Sequence, residues 1–488
     1  MIWSIVQQVG GQGVSLLVYL VLANLLTPED FGLVGLATVW TALLAAFAES
    51  GFGAALVQRR TIDATHASTT FAINLGVGAV LSLGGVLLSW PAARFTGDPR
   101  LQPVVAALSA GFLIRSLGLT HVALAQRDLR FRVLAIRDLS ANTVGGALGI
   151  ALALRGAGVW SLVAMSLASA TVGSALLWYI TPWRPARSEL SRSAMGDLWR
   201  FSANILGFNL FKALAQNVDR LVIGRLLGTT PVGYYTLAVR LVLQPIGVVV
   251  GALGVYLFAR VARVQGDRPR AQLEYRRVFR LAVAATAPVA AGAVTVGPPL
   301  VGWLLGPAWS PVAPVLAWLG IVALCRALFS PAGQVLKALG RPDWMLGWSV
   351  AITGLTIAAV YAGAPWGLPG VAAGVGIAHV VGVPVILTIV HRLGGLSASE
   401  HAIAGAGALA AGTALAALLL PFSWLLGHAP ALLAVVTVTA TIAYAAAVIR
   451  LQPDLASAIR GRLVRLPIAV PTSDEAPFEQ DVHDDGRF

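Results

Sequence analysis

Long runs of apolar residues constrain the fold of this chain more than any other feature. Fourteen such runs account for most of its 488 residues, and each is near the length of about 20 residues that a helix needs to cross a bilayer. None shows the period-two alternation that is typical of transmembrane β-strands. The runs lie at 3–25, 32–56, 69–90, 101–123, 139–155, 158–180, 198–220, 231–258, 279–302, 311–335, 345–362, 368–391, 402–421 and 430–450. The sequence therefore predicts an all-α membrane protein with about 14 transmembrane helices.

The overall composition supports this interpretation. Apolar residues make up 57% of the chain and charged residues only 11%, against about 25% charged in ordinary soluble domains. A water-soluble protein could not hide so much apolar surface, which excludes a soluble enzyme and a disordered chain. The single cysteine, Cys325, allows neither an intrachain disulfide nor a cysteine-rich metal site.

The positive charges lie in alternate connections between the apolar runs. The net charge is +13, but it does not indicate a nucleic-acid partner, because most arginines occur in short even-numbered loops. The fourth of these contains Arg260, Arg263, Arg268, Arg270, Arg276, Arg277 and Arg280. Positively charged loops stay in the cytoplasm, so we expect both termini to be cytoplasmic. Arginines among apolar residues in 451–466 favour contact with anionic membrane lipids.

A weak internal repeat predicts two similar lobes. Residues 25–32 (LLTPEDFG) align with residues 226–233 (LLGTTPVG), and further along Arg115 aligns with Arg326. An even number of helices separates the copies, so they share one orientation in the membrane. The predicted organisation is a six-helix lobe at 1–180, a cytoplasmic linker at 181–197, a second six-helix lobe at 198–391, two extra helices at 392–450, and a largely disordered cytoplasmic tail at 451–488.

Polar residues recur at helical spacing within two of the apolar runs. The seventh run contains Asn209, Lys212, Gln216 and Asp219. The first run contains Gln8, Gln12, Ser15 and Tyr19. In the repeat, Gln8 aligns with Asn209 and Ser15 aligns with Gln216, so the two stripes are predicted to face each other across a cleft between the lobes. The alternative is that these residues only form hydrogen bonds between packed helices.

Basic residues deep in the predicted spans indicate a cationic cleft. A charge in hydrocarbon costs at least about 2.5–3.5 kcal/mol, so retained charges usually face a cavity or a partner. The predicted substrate-binding residues are Arg115, Lys212, Arg240, Arg326, Asn209, Gln216 and Gln8. Few acids are available to neutralise them, so the cleft would attract an anionic substrate. The alternative is that Asp219 pairs with Lys212 or Arg220 and that the other cations reach the headgroups.

The chain contains no catalytic, nucleotide-binding or metal-binding motif in a suitable context. The sequence therefore predicts a transporter that is not an enzyme and uses no cofactor. Its energy would come from a proton or sodium gradient or from removal of the product. Asp219 and Glu49 are the predicted ion-coupling residues.

Four groups of segments resemble the sequence pattern of bacterial polysaccharide and O-antigen flippases. They are 25–33 with 51–58, 217–228 with 232–235, 305–309, and 339–342. Over residues 1–450 the chain is similar to the Wzx-like, colanic-acid-exporter-like branch of the multidrug/oligosaccharidyl-lipid/polysaccharide superfamily. The similarity does not identify individual substrate residues.

This resemblance implies a two-lobed alternating-access carrier in the bacterial cytoplasmic (inner) membrane. Its substrate would be an oligosaccharide repeat unit linked to undecaprenyl pyrophosphate, moved from the cytoplasmic to the periplasmic leaflet for polysaccharide export. A polysaccharide polymerase and the chain-length machinery would be partners. The alternatives are a drug/cation antiporter of the same superfamily, a membrane glycosyltransferase or polymerase acting on lipid-linked sugars, and a static scaffold. Buried bases outnumber buried acids, and the outward loops are short, which argues against the first two alternatives.

Overall fold

The structure is a computed structural model that is helical throughout the part of the chain that it describes. The described residues are 3, 6–48, 56, 64–186, 192–264, 267–338, 340–394, 398–425 and 429–451. Within these ranges there are helices and their connections but no strand, which confirms the predicted all-α fold class. Glu49 and the tail after residue 451 lie outside the described residues.

Fifteen α-helices run back and forth through the described ranges. They are α1 (Gly11–Leu25), α2 (Pro28–Ala48), α3 (Ala64–Thr96), α4 (Leu101–Arg127), α5 (Phe131–Leu154), α6 (Val159–Ile180), α7 (Arg192–Leu226), α8 (Thr229–Ala262), α9 (Arg268–Thr295), α10 (Gly297–Leu305), α11 (Val312–Ala338), α12 (Pro342–Gly363), α13 (Gly367–Gly394), α14 (Ala398–Leu425) and α15 (Pro430–Leu451). Each of the fourteen predicted apolar runs corresponds to one of these helices, and the short α10 is additional.

Ten stretches of the described chain are long and apolar enough to cross a membrane. One of them, Asp343–Arg392, contains both α12 and α13. The chain is therefore a multi-pass membrane protein, while the exact number of fourteen crossings stays a prediction. Helices α1, α5 and α7 are not among the ten, because α1 has only 15 residues and the other two carry several charges. Polar residues of these three helices line the cavities described below.

Helix contacts follow the pattern expected of a duplicated bundle. We use "N-terminal lobe" for α1–α6 and "C-terminal lobe" for α7–α13, although the predicted domain boundaries remain predictions. In the N-terminal lobe α3 packs against α4 and α5 packs against α6. The equivalent pairs in the C-terminal lobe, α9 with α11 and α12 with α13, also pack together. Helix α14 packs against α9, and α15 packs against α14.

The lobes meet tightly at one end of the bundle. This end carries the connections at 26–27, 97–100, 227–228 and 306–311. We call it the opposite face, because it lies opposite the end that we call the basic face. The other end is the basic face, which carries residues 128–130, 263–264 and 340–341. At the opposite face a Cβ atom on Gly233 of α8 would overlap the Pro28 carbonyl, and one on Gly32 of α2 would overlap the Thr229 carbonyl. Only glycine permits this close approach of the two backbones.

Trp309 strengthens the contact at the opposite face. It precedes α11 in the C-terminal lobe and is only 1% exposed. Its indole Nε1 donates a hydrogen bond to the Ala23 carbonyl of α1 over 2.7 Å. Its ring packs edge-on against Phe31 of α2, with 5.1 Å between centroids, and against Tyr234 of α8 at 6.0 Å. The side chain thus joins both lobes through an apolar contact and one buried hydrogen bond.

A buried carboxylate forms a polar link between the same two lobes. Thr229 at the start of α8 donates its hydroxyl to Asp98 Oδ2 over 2.8 Å. Arg100 donates from Nε to Asp98 Oδ1 at 3.1 Å and from Nη2 to Glu29 at 2.5 Å. Burial acts to raise the pKa of Asp98, but the hydrogen bonds from Arg100 and Thr229 hold that pKa below its ordinary value of 3.8. Asp98 is therefore ionised at neutral pH.

We predict that Gly233→Ala loosens the contact between α2 and α8. The added methyl group must displace the Pro28 carbonyl, and overpacking of this kind typically costs about 1–3 kcal/mol. Thermal unfolding in detergent measures the loss as a lower Tm. Gly247→Ala on the same helix is the matched control, because nothing lies within 4 Å of its added methyl group. An equal Tm for the two variants would contradict the tight crossing.

We also predict a pH-dependent effect of Asp98→Asn. Because the folded pKa of Asp98 is lowered, its stabilising contribution is present above about pH 3.8 and is lost as the pH falls through the folded pKa. The Tm difference from wild type is expected to stay constant from neutral pH down to about pH 5 and to shrink in stronger acid. Thermal unfolding across this pH range measures it. Asp343→Asn, at an exposed carboxylate paired with Arg341, is the control and is expected to have little effect. A difference that grows in acid would contradict the assignment.

Candidate functional site

Helix α7 supplies one wall of a cavity in the C-terminal lobe. The cavity has a volume of about 400 Å³ and we call it the cationic cavity. Lys212, Gln216 and Asp219 line it, because their spacing along α7 places them on one side of the helix. Asn209, three residues before Lys212, is not among its lining residues. The structure therefore brings together three of the four residues of the predicted stripe.

The remaining walls come from helices α11, α12 and α13. Arg326 and Lys337 lie on α11, eleven residues and about three helical turns apart. Helix α12 contributes three hydroxyl groups and α13 contributes one histidine. These are Ser349, Thr353, Thr356 and His379. Four helices of one lobe thus surround a space that combines cations with hydrogen-bonding groups.

Positive charge exceeds negative charge in the cationic cavity. Lys212, Arg326 and Lys337 face it, with Asp219 as the one acidic lining residue. Within the described part of the chain none of these three cations forms an ion pair within 4 Å. A cationic cleft requires cations without such partners, and the role of Lys212 and Arg326 in substrate binding stays a prediction.

In the part of the chain that the structure describes, the carboxylate of Asp219 accepts hydrogen bonds from a hydroxyl group and a backbone N–H, and not from a charged side chain. Its Oδ2 accepts a 2.6 Å hydrogen bond from the Tyr235 hydroxyl of α8, and its Oδ1 accepts from the Arg220 backbone N–H at 2.8 Å. The guanidinium of Arg220 donates instead to Asn217 over 3.3 Å. The pairing of Asp219 with Lys212 or Arg220, which is the alternative to the cationic cleft, is therefore not seen among the described residues. Its role in ion coupling remains a prediction, as does that of Glu49.

Arg240 lies between the two lobes rather than in the cationic cavity. Its guanidinium carbon is 3.4 Å from the centroid of the Tyr19 ring of α1, and Nη1 is 3.4 Å from Ser15 Oγ. It lines a separate cavity of about 310 Å³ together with Gln12 and Gln244. A cation over an aromatic face gains electrostatic stabilisation in a site shielded from water, so this contact compensates part of the cost of burial.

Arg115 does not meet its repeat partner Arg326 in one site. It lies on α4 in the N-terminal lobe and is not among the residues that line the cationic cavity. Its charged neighbour is Arg137 of α5, whose Nη1 forms a 2.9 Å ion pair with Asp138. Each of the two aligned arginines thus belongs to its own lobe, and the structure does not place them together.

Gln8 lines a third cavity, which is polar and uses residues of the N-terminal lobe. Its volume is about 590 Å³ and we call it the amide cavity. Its walls come from the first turns of the chain, the end of α4 and the start of α5. The lining residues are Gln7, Gln8, Gly11, Gln12, Ser15, Gln126, Phe131, Asp138 and Asn142. The two aligned polar stripes therefore line different cavities, and their facing each other across a cleft stays a prediction.

Sequence reasoning missed Lys337 in the cationic cavity and Gln126 in the amide cavity. Both lie near helix ends at the basic face, where polar residues are ordinarily solvated. For Lys337 the available signal is its spacing of eleven residues from Arg326, which returns to the same side of a helix. The described residues contain no group of three or more His, Cys, Asp or Glu side chains that could hold a metal ion.

Comparison with known proteins shows a match to a polysaccharide biosynthesis family and to several of its relatives. A family described as "Polysaccharide biosynthesis protein" matches residues 21–314. The succinoglycan biosynthesis transport protein ExoT of Rhizobium meliloti is 27% identical over 74% of this chain and 73% of its own length. The lipopolysaccharide biosynthesis protein WzxC of Escherichia coli is 26% identical over 74% of both chains. The teichuronic acid biosynthesis protein TuaB of Bacillus subtilis is 27% identical over 62% of this chain and 63% of its own.

Solved structures show the same fold. The lipid II flippase MurJ in an inward closed conformation superposes with a TM-score of 0.69 and 10% identity, covering 95% of this chain and all of its own (100%). An inward-facing multidrug resistance transporter of the MATE family superposes with a TM-score of 0.62 and 19% identity, covering 79% of this chain and 96% of its own. At these identities the likeness concerns the fold alone, and it agrees with the predicted all-α membrane fold.

We predict that the cationic cavity concentrates anions. Thr353→Cys, in a Cys325→Ala background, places a thiol in the cavity wall. We expect an anionic methanethiosulfonate reagent to label it about tenfold faster than a cationic one of similar size, because fixed positive charge raises the local anion concentration. Labelling rates followed by mass spectrometry measure the ratio.

The control is Ser310→Cys at the opposite face, where the side chain is exposed and outside the cavity. Adding Lys212→Met and Arg326→Met to the Thr353→Cys protein is expected to abolish the anionic preference. A ratio that is unchanged by these two substitutions would contradict the electrostatic interpretation.

Proposed function

Because the chain belongs to the polysaccharide biosynthesis protein family, we propose that it is a flippase for undecaprenyl-pyrophosphate-linked oligosaccharide repeat units. It moves them from the cytoplasmic to the periplasmic leaflet of the bacterial inner membrane for polysaccharide export. It acts as a transporter and not as an enzyme. The observation that carries this proposal is the cationic cavity, with Lys212, Arg326 and Lys337 facing one space.

The chemistry of the cavity suits a pyrophosphate headgroup. A charged headgroup with its sugars cannot cross hydrocarbon unaided, whereas its polyprenyl tail can remain in the lipid. A guanidinium such as that of Arg326 can hold two phosphate oxygens at once, and a lysine ammonium contributes a compact charge. The hydroxyl groups of Ser349 and Thr353 add donors on the facing wall. A drug/cation antiporter would instead need an excess of acids here.

The packing of the lobes supports alternating access. The lobes are joined at the opposite face by the Gly233 crossing and the Asp98 link, while both polar cavities extend to residues near the basic face. We propose that the basic face is cytoplasmic, in accord with its arginine-rich connections, and that both termini are there. This conformation is then open towards the cytoplasm, where the lipid-linked substrate is assembled.

Two further parts of the proposal concern energy and partners. A proton or sodium gradient would drive the cycle, with Asp219 as the coupling residue, because protonation of its carboxylate would alter the bond to Tyr235 that joins α7 to α8. Glu49 is the second proposed coupling residue. A polysaccharide polymerase and its chain-length machinery would consume the delivered repeat unit in the periplasmic leaflet.

We predict that Arg326→Met lowers the rate of glycolipid transfer at least about tenfold, since one charge-assisted phosphate contact is worth roughly 1.5–3 kcal/mol. The assay uses the full chain in liposomes with undecaprenyl-pyrophosphate oligosaccharide. Leaflet transfer is followed by loss of protection from an external glycosidase, with and without a proton or sodium gradient.

Arg155→Met is the matched control, since this arginine lies in an exposed connection at the opposite face. We expect it to transfer glycolipid at the wild-type rate. Equal rates for Arg326→Met and wild type, in well-inserted protein, would overturn the role of the cationic cavity. Failure of the wild-type protein to transfer the glycolipid would overturn the proposed function.

A further inference from the structure

The amide cavity differs in chemistry from the cationic cavity, and we propose that it binds the sugar portion of the lipid-linked substrate. This inference rests on the proposed function and assigns the glycan to the N-terminal lobe. The pyrophosphate would be held by the cationic cavity of the other lobe. The ligand class for the amide cavity is a neutral, polyhydroxylated ring.

Unpartnered amides give the cavity its binding capacity. In the described part of the chain the side chains of Gln8, Gln12 and Gln126 form no hydrogen bond or ion pair. Each amide offers two donors and a carbonyl acceptor, whereas each sugar hydroxyl both donates and accepts. Gln8 and Gln12 are four residues apart, so both can present their amides on one side of the chain. Gly11 between them adds no side chain to the space.

The charged residue that lines the amide cavity, Asp138, is already paired with an arginine of the protein. Asp138 Oδ2 accepts from Gln7 Nε2 over 2.7 Å, and Oδ1 pairs with Arg137 Nη1 over 2.9 Å. A phosphate would meet no unpaired cation among the described lining residues, so this cavity does not duplicate the cationic one. The paired carboxylate can still accept hydrogen bonds from hydroxyl groups through its remaining lone pairs.

The size and position of the cavity also fit a glycan. Its volume of about 590 Å³ lies within the range of about 300–1,000 Å³ that is common for ligand pockets. Phe131 supplies the apolar surface against which the carbon face of a sugar ring can pack. The cavity reaches the basic face, where α4 ends and α5 begins. Gln12 and Ser15 line both this cavity and the one that contains Arg240, so it adjoins the space between the lobes.

The test compares binding of bare and glycosylated carrier lipid to the full-length protein in nanodiscs. The probes are undecaprenyl pyrophosphate, the same lipid bearing one glucose or one galactose, and glycosylated carrier lipid extracted from the native host. The variant is Gln8→Met with Gln126→Met, which removes two amides at nearly constant side-chain length. Gln102→Met, exposed at the other end of α4, is the matched control.

We expect wild type and Gln102→Met to bind at least one glycosylated lipid more tightly than the bare lipid. The double variant should lose about tenfold in affinity for that glycosylated lipid, as expected for two neutral hydrogen bonds, and under about twofold for the bare lipid. Lys212→Met with Arg326→Met should weaken binding of both lipids. These outcomes together support a glycan site separate from the pyrophosphate site.

Three other outcomes would overturn the proposal. If the double variant prefers glycosylated over bare lipid as strongly as the wild type does, the sugar binds elsewhere and the proposed function stands. Equal affinity of the wild type for bare lipid and every glycosylated lipid shows that the cavity holds only water. A wild-type protein that binds none of these lipids overturns the proposed function and, with it, the glycan site.

Discussion

The high cost of placing charge in hydrocarbon governs the rest of this structure. A bilayer tolerates the cations of α7 and α11 only if they face water, a ligand or a counter-charge. In the described residues Lys212 and Arg326 face a cavity without an ion pair, and Arg240 is held over the Tyr19 ring. The helix arrangement must therefore maintain a polar space inside the membrane. Polar residues of α1, α5 and α7 are among those that border this space.

The two lobes divide the recognition chemistry between them. The C-terminal lobe presents fixed positive charge with hydroxyl groups, while the N-terminal lobe presents amides around a balanced carboxylate. A duplicated bundle can diverge in this way because each copy keeps the same packing contacts while its inward-facing residues change. Gln8 and Asn209 occupy aligned positions, yet only Gln8 lines a described cavity. The two lobes thus resemble each other more in their helix packing than in the chemistry of their cavities.

Much of the fold could be predicted from the sequence, since bilayer thickness sets the length of each apolar run. The grouping of Lys212, Gln216 and Asp219 followed from helical spacing, which is a local property. The separation of Arg115 from Arg326 could not be predicted, because alignment in a repeat does not specify the distance between lobes. Lys337 was missed because a lysine at a helix end is ordinarily explained by exposure to solvent. Which residues line a cavity depends on how whole helices tilt against one another. This tilt cannot be predicted from any short segment of the sequence.

Trp309 has a consequence for the empty carrier. To expose the other side of the membrane, the protein must withdraw this indole from between Phe31 and Tyr234 and release the Ala23 carbonyl. Withdrawal removes a large apolar contact and leaves the indole N–H and the Ala23 carbonyl without their hydrogen bond. New contacts in the other conformation must offset this loss before the protein reorients. A bound cargo can supply such contacts, so this indole would make reorientation depend on the presence of cargo.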